Sequence, residues 1–261
     1  MNTHIILTNG RSGSNHLANT LNLHPHIVNY GEVLGEWTLP YKLHDRFGFG
    51  GFTMAGYLDY VYSSKTFFYA AQCYSAYSHL RKRQPLRFKS WHQVKTIGIK
   101  DFLIKFRERN VESFLQENDD LLVINLYREN ALRRYLSLLF MEQTGVVVAT
   151  NEDSSTPKKI RVPLENLVET LDRYQNETRD QLAFVGRLPA NRVLNLRYED
   201  YFASDESKAA YTEQLLTFLG VEPVPLQSSH QKILSTPLEY LVENYLELNA
   251  CLQRTEHSRY L

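Results

Sequence analysis

Cysteine is almost missing from this chain of 261 residues, which has two, Cys73 and Cys251. Two such distant thiols make neither a disulfide framework nor a metal-ligand spacing; they fit a reducing interior and are expected to be small, buried or half-buried apolar groups. No uninterrupted apolar run approaches the ~20 residues of a membrane span. Excess charge of either sign is lacking too, with 29 Lys plus Arg against 29 Asp plus Glu. No global field therefore exists to recruit nucleic acid or an anionic membrane, and any anion must be bound by a local site. Met1–His4 leads at once into an apolar segment, without the basic start, apolar run and small-residue cleavage site of a signal peptide, so a cytoplasmic chain is expected. Repeats, low-complexity tracts and linker-like stretches are also missing, which predicts a single domain over 1–261. A homodimer is compatible with all of this, but the sequence does not decide oligomeric state.

What is present is ample core material, 43% apolar residues with 12% aromatics. Four short segments rich in Ile, Leu and Val read as buried parallel strands: His4–Asn9, Thr96–Lys100, Leu121–Leu126 and Arg192–Arg197. Helical patterns lie between and after them, at Asn15–His24, Phe67–Arg83, Glu129–Gln143, Leu164–Leu188, Lys208–Leu219 and Leu238–Leu252. This alternation predicts an α/β fold, a P-loop-like parallel sheet flanked by helices on both faces. Ligands of such sheets lie beyond the carboxyl ends of the strands. Two irregular regions interrupt the pattern. An aromatic-rich insertion at about 36–65, punctuated by Gly48-Phe-Gly-Gly51, is either a wall or lid beside the cleft or a small core of its own. A polar segment at about 146–163, containing Asn151-Glu-Asp-Ser-Ser-Thr-Pro157, is expected to be a mobile loop.

The most informative stretch is His4-Ile-Ile-Leu-Thr-Asn-Gly-Arg-Ser-Gly-Ser-Asn-His-Leu17, a strand, a Gly/Ser turn carrying one arginine, and the start of a helix. Such a turn leaves backbone N–H groups unpaired and pointing at one spot, where the helix dipole adds about half a positive charge. Arg11 supplies a permanent charge and a planar fork suited to phosphate or sulfate oxygens. A plain strand–helix connection is the alternative reading of the turn, and the arginine tilts it toward an anion cradle. A Walker A loop requires Gly-Lys-Ser/Thr, which does not occur here, so a conventional ATPase or GTPase is disfavoured.

A second element is Leu121-Leu-Val-Ile-Asn-Leu-Tyr-Arg-Glu-Asn-Ala-Leu-Arg-Arg-Tyr-Leu-Ser-Leu138. Here a strand delivers Arg128 to its carboxyl end, and a helix with Arg133, Arg134 and Ser137 follows. A solvated basic face is the plain reading for one of Arg133 and Arg134, less so for Arg128 at the ligand edge.

Together the two elements resemble those of sulfotransferases that use 3′-phosphoadenosine-5′-phosphosulfate (PAPS). Thr8-Asn-Gly-Arg-Ser-Gly-Ser-Asn-His-Leu17 is similar to the family's 5′-phosphosulfate loop, and Arg128 through Ser137 to its 3′-phosphate-binding strand and helix. The style is closest to bacterial carbohydrate and small-molecule sulfotransferases, and the family's arginine-to-serine spacing is one residue shorter than here. The resemblance implies the sulfotransferase fold. It also implies that Arg11, Ser12, Gly13, Ser14 and Asn15 hold the phosphosulfate while Arg128 and Ser137 hold the 3′-phosphate. Asn195-Leu-Arg-Tyr-Glu-Asp200 resembles the strand whose tyrosine lies against the adenine, which points to Tyr198; a packed aromatic is the alternative. His230-Gln-Lys-Ile-Leu-Ser-Thr-Pro237 takes the place of a late basic loop, with Lys232 as its candidate and Ser235 second.

For the catalytic base, Glu32 follows the first helix in Tyr30-Gly-Glu-Val-Leu-Gly35, where similar enzymes place a glutamate. A carboxylate in a partly dry cleft suits a general base. His24, His26 and His92 are its rivals. Lys100, ending Ile97-Gly-Ile-Lys-Asp101, would steady the sulfuryl group or the acceptor, or else make a surface ion pair. The implied reaction moves a sulfuryl group from PAPS to a hydroxyl or amine of a small molecule or glycan, with no metal. A Mg-ATP-dependent small-molecule kinase and a non-catalytic nucleotide-binding protein are the alternatives.

Overall fold

In a computed structural model, which describes residues 1–81, 88–145, 159–226 and 237–261, five strands form one sheet. They are β1 (Asn2–Thr8), β2 (Ile27–Asn29), β3 (Thr96–Phe102), β4 (Leu121–Tyr127) and β5 (Val193–Arg197), in the order β2-β3-β1-β4-β5. Every pairing is parallel, with Thr8 opposite both Phe102 and Leu126, and Tyr127 opposite Arg197. All five carboxyl ends therefore open on the same edge.

Alternation along the strands sends side chains to two faces. Ile5 and Leu7 pack with Ile97, Ile99 and Val123 against the helices Met54–Ser63 and Leu103–Glu108. Ile6, Ile124, Leu126 and Leu196 pack against the helices Ser14–Leu21 and Asp205–Phe218. Burying an aliphatic side chain of this size contributes roughly 2 kcal/mol, which explains why both faces are covered. A third cluster joins the helices Ala131–Thr144 and Leu167–Val185 to the short helices Leu238–Leu241 and Tyr245–Leu252.

One histidine sits inside the sheet. His4 is fully buried, its Nδ1 2.9 Å from Thr96 Oγ1, while Asn29 Nδ2 donates to its Nε2 at 3.2 Å. That pairing requires the neutral ring with its proton on Nδ1, and burial pushes its pKa down to about 3. Gly98 makes room for the ring, since a Cβ there would stand 2.1 Å from Nε2.

Several expected elements need correction. β2 was not anticipated, because three residues carry too little pattern to separate a strand from a turn. The aromatic insertion is largely helical, at Leu39–Phe47 and Met54–Ser63, joined through Gly48, Gly50 and Gly51 at positive φ. Tyr57 and Tyr62 from it enter the central core, whereas Trp37, Phe47 and Phe52 are exposed. The segment Leu238–Leu252 is two helices, not one, because Val242 bridges Ile160 between them. Cys73 is exposed rather than buried, on the outer side of the helix Lys65–Arg81. Most of the expected mobile loop at 146–163, together with Lys232 and Ser235, lies outside the described residues.

Candidate active site

β1 ends at Thr8, and the chain turns into the helix Ser14–Leu21 through Arg11 at φ 64° and Gly13 at φ 79°. Gly13 caps that helix without a side chain, and the first intrahelical bond runs from Leu17 N–H to Gly13 O at 3.1 Å. The amides of Ser14, Asn15 and His16 lie ahead of that bond, where the helix supplies no acceptor. Gly13 also has neighbours that exclude a side chain. A Cβ would stand 2.8 Å from the Phe202 ring and 3.0 Å from that of Tyr198.

Arg134 braces the turn from beneath. Its Nε donates to Gly10 O at 2.8 Å, its Nη1 to Tyr174 O at 3.3 Å and its Nη2 to Glu177 Oε2 at 2.5 Å. Its guanidinium carbon lies 4.4 Å from the centre of the Tyr174 ring. Asn9 Nδ2 adds a bond to Glu177 O at 3.1 Å. Arg134 is thus spent on the loop's backbone and is not the solvated charge that the plain reading allowed.

Above the turn, the two elements singled out in the sequence meet. Arg11 Nε donates to Ser137 Oγ at 3.0 Å, and Arg128 Nη1 donates to Arg11 O at 3.2 Å. Arg128 and Ser137, nine residues apart, thus both bond to Arg11, one at its carbonyl and one at its side chain; Arg128 precedes the helix that Asn130 caps, with Asn130 Oδ1 accepting from Arg133 N at 2.8 Å. Arg128 is buried with its guanidinium carbon 4.1 Å from the centre of the Tyr198 ring, and its Nε is 3.9 Å from Glu199 Oε1. Burial lowers the Arg128 pKa, with Tyr198 and Glu199 opposing. Arg11 and Arg133 are also lowered, by burial first and by the charge on Arg128 second. Guanidinium groups stay protonated even so, and the shifts express a positive charge confined among its like. Two buried polar atoms here, Ser12 Oγ and Arg128 Nε, make no hydrogen bond among the described residues.

The other half of the edge is built by β2 and β3. Lys100, 3% exposed near the end of β3, donates to Asn15 Oδ1 at 2.9 Å and pairs with Glu32 Oε1. Lys100 thereby links the first turn of the loop helix to the candidate base in an ion pair whose lysine is buried and whose glutamate is half-buried. Glu32 Oε2 accepts from Trp37 Nε1 at 2.7 Å. The backbone that presents Glu32 is held by Asp101, whose Oδ2 accepts from Val33 N at 2.9 Å and Leu34 N at 2.8 Å. Burial, against these bonds and with the charge on Glu32, raises Asp101 to about 6.

The histidine rivals of Glu32 are placed elsewhere. His24 and His26 precede β2, at the amino edge of the sheet, where His26 O accepts from Lys95 N at 2.9 Å and His26 Nδ1 lies 2.6 Å from Gln93 O. His92 lies on that same approach to β3. Among the described residues, one group of potential metal ligands occurs, Asp172, Glu256 and His257, on the flank formed by the helix Leu167–Val185 and the chain end. No helix among the described residues is long and apolar enough to cross a membrane.

Sequence reasoning did not assign Arg134 or Asp101, and it named Trp37 only as one aromatic of an insertion that could wall the cleft, not as a partner of Glu32. The signal for Asp101 was present, a second charged residue beside Lys100 at the end of an apolar strand. Nothing in the sequence separated Arg134 from Arg133.

The chain matches no protein-family model and no curated protein. Among solved structures it is similar to a sulfotransferase from Alicyclobacillus acidocaldarius, at 13% identity over 96% of this chain and 90% of that one, TM-score 0.49. It is also similar to the sulfotransferase domain of the Synechococcus PCC 7002 olefin synthase, at 16% identity over 94% and 82%, TM-score 0.43. A third is the sulfotransferase domain from the curacin biosynthetic pathway, at 15% identity over 94% and 85%, TM-score 0.47.

Proposed function

We propose that this protein is a sulfotransferase that moves a sulfuryl group from PAPS to a hydroxyl or amine of a small molecule or glycan, releasing 3′-phosphoadenosine 5′-phosphate. The observation that carries the reading is the convergence of Arg11, Arg128, Ser137 and Tyr198 on one glycine turn at the sheet's carboxyl edge. Confined guanidinium charge gains most from a polyanion, and PAPS brings anionic groups at both ends of its ribose. The residues fit that co-substrate. Ser12 Oγ and Arg128 Nε are buried donors with no hydrogen bond among the described residues, and Gly13, at φ 79°, lets the turn pass close against the Phe202 and Tyr198 rings.

In this reading the amides at the start of the helix, with Arg11, Ser12, Ser14 and Asn15, hold the 5′-phosphosulfate. Arg128 and Ser137 hold the 3′-phosphate, and Tyr198 lies against the base. Glu32 takes the proton from the acceptor, whose oxygen or nitrogen forms the new bond to sulfur. The bond from sulfur to the bridging oxygen breaks, and its electron pair leaves on the 5′-phosphate. Such transfers have loose, in-line transition states, so the protein contributes positioning and electrostatics. Lys100, tied to both Asn15 and Glu32, keeps loop and base in register.

Thermal melting with 3′-phosphoadenosine 5′-phosphate, ADP and Mg-ATP tests the nucleotide, and transfer of labelled sulfate from PAPS tests the reaction. The 3′-phosphorylated nucleotide is expected to raise Tm well above ADP. Equal stabilisation by ADP would remove the role given to Arg128, and preference for Mg-ATP would point to a kinase. Nucleotide binding without any sulfate transfer would leave a binding protein.

A further inference from the structure

Trp37 combines two properties that rarely occur together. It is 55% exposed, yet it is fixed on several sides. Its Nε1–H is committed to Glu32 Oε2 at 2.7 Å. Its ring lies directly on Gly35, where a Cβ would stand 2.5 Å from indole Cε2 and Cζ2. Lys105 Nζ is 5.3 Å from the ring centre, itself held by Glu36 at 3.2 Å and Glu108 at 2.7 Å. The turn that carries Trp37 is closed by two bonds from Thr38, N and Oγ1, to Gly35 O at 2.9 and 2.8 Å.

We propose that Trp37 aims Glu32 and forms, with the open part of its indole, the wall against which a ring-bearing acceptor lies. This rests on the reading of Glu32 as the base of a sulfotransferase. The carboxylate geometry supports it directly. An ionised carboxylate offers about four acceptor positions; Lys100 takes one and Trp37 another, so an arriving hydroxyl binds without displacing either donor. With one donor on each oxygen, the carboxylate plane is fixed, and one acceptor position on each oxygen is left for the acceptor. An exposed, immobile indole beside such a carboxylate offers apolar surface with no ordering cost. A sugar or phenol gains from that surface; a linear alcohol gains little.

Two measurements decide. The chain has two tryptophans, so Trp91→Phe leaves Trp37 as the only indole, and its emission is obtained independently by subtracting Trp37→Phe from the unsubstituted protein. Glu32→Gln is expected to move the Trp37 emission to shorter wavelength; an unmoved spectrum by both routes overturns the coupling. Sulfate transfer to a panel of phenols, methyl glycosides and linear alcohols then reads the function. Trp37→Phe, which keeps a ring but loses the N–H, should lower kcat about tenfold or more at unchanged acceptor KM. Gly35→Ala, which displaces the ring, should in addition raise KM for the cyclic acceptors only. A Trp37→Phe protein with unchanged kcat, or a Gly35→Ala protein whose KM rises equally for cyclic and linear acceptors, refutes the assignment. A native protein that transfers no sulfate at all refutes the sulfotransferase reading instead, while the emission measurement still tests the Trp37–Glu32 coupling.

Discussion

Arg11 has a side chain that reaches Ser137 and Met141 and a carbonyl that accepts from Arg128. It therefore links the two elements of the proposed nucleotide cradle, and in that reading Arg11→Ala removes a donor from the group on which negative charge builds. Losing one such donor costs ~3 kcal/mol of barrier, so sulfate transfer should fall roughly a hundredfold or more; unchanged turnover would take Arg11 out of the reaction. Arg134 behaves differently, because it touches only protein. Arg134→Ala leaves Gly10 O without its donor, at a cost of about 1–3 kcal/mol. A urea titration should show that loss with an unaltered m-value, together with weaker binding of 3′-phosphoadenosine 5′-phosphate as the turn loosens. Full stability in that variant would show that the loop does not depend on the brace.

At the scale of elements, the turn between β1 and its helix depends on Gly13 for two separate reasons, a left-handed backbone and the rings of Phe202 and Tyr198 pressed against it. Gly13→Ala should cost ~1–2 kcal/mol from the backbone alone. For a chain of this length that is a drop in Tm of several degrees. Because the added methyl pushes Tyr198 away, nucleotide affinity should fall by more than the stability loss explains; calorimetric titration with 3′-phosphoadenosine 5′-phosphate measures it. This turn was legible in the sequence because glycine, arginine and an apolar strand each carry a local signal. So were β1, β3, β4 and β5, whose apolar runs need no context. β2 was not legible, and without it nothing assigns His24 and His26 to the amino edge; Glu32 was expected back at the carboxyl edge only from its place after the first helix. The insertion misled for a related reason, since three glycines between aromatics read as irregular chain. Its helix signals, Pro40 in the first turn and Thr53 accepting from Gly56 N, are short-range and easily outweighed. Arg134 and Asp101 act through distant partners, Gly10 and Val33 among them, which no local pattern reveals, whereas Trp37 and Glu32 are only five residues apart but in an irregular stretch with no periodicity to pair them.

For the molecule as a whole, two buried groups set opposing acid responses. His4 has a pKa of about 3 in the folded sheet against 6.5 when free. Between those values the unfolded chain binds a proton that the folded one refuses, so its contribution to stability is complete above 6.5 and is lost as pH falls toward 3. Asp101 is raised from 3.8 to about 6. Between 6 and 3.8 the folded chain holds a proton that the unfolded one has released, so acid stabilises through this group. Each slope is ~1 kcal/mol per pH unit, and over that shared window the two cancel. Asp101→Asn removes one side of the balance. Its stability, followed by urea unfolding at pH 7, 5 and 4, should decline more steeply with acid than that of the native protein. His4→Asn should do the reverse, declining less steeply. The remaining carboxylates titrate equally in all three proteins and drop out of the comparison. Parallel pH curves for the three would mean that neither group titrates inside the fold as its burial requires. The same measurement bears on the site, because Asp101 holds the backbone of Val33 and Leu34 next to Glu32. If Asp101→Asn steepens the stability curve and also lowers sulfate transfer at pH 7, where the native carboxylate is mostly ionised, then the bonds that hold the base belong to the network that stabilises the sheet.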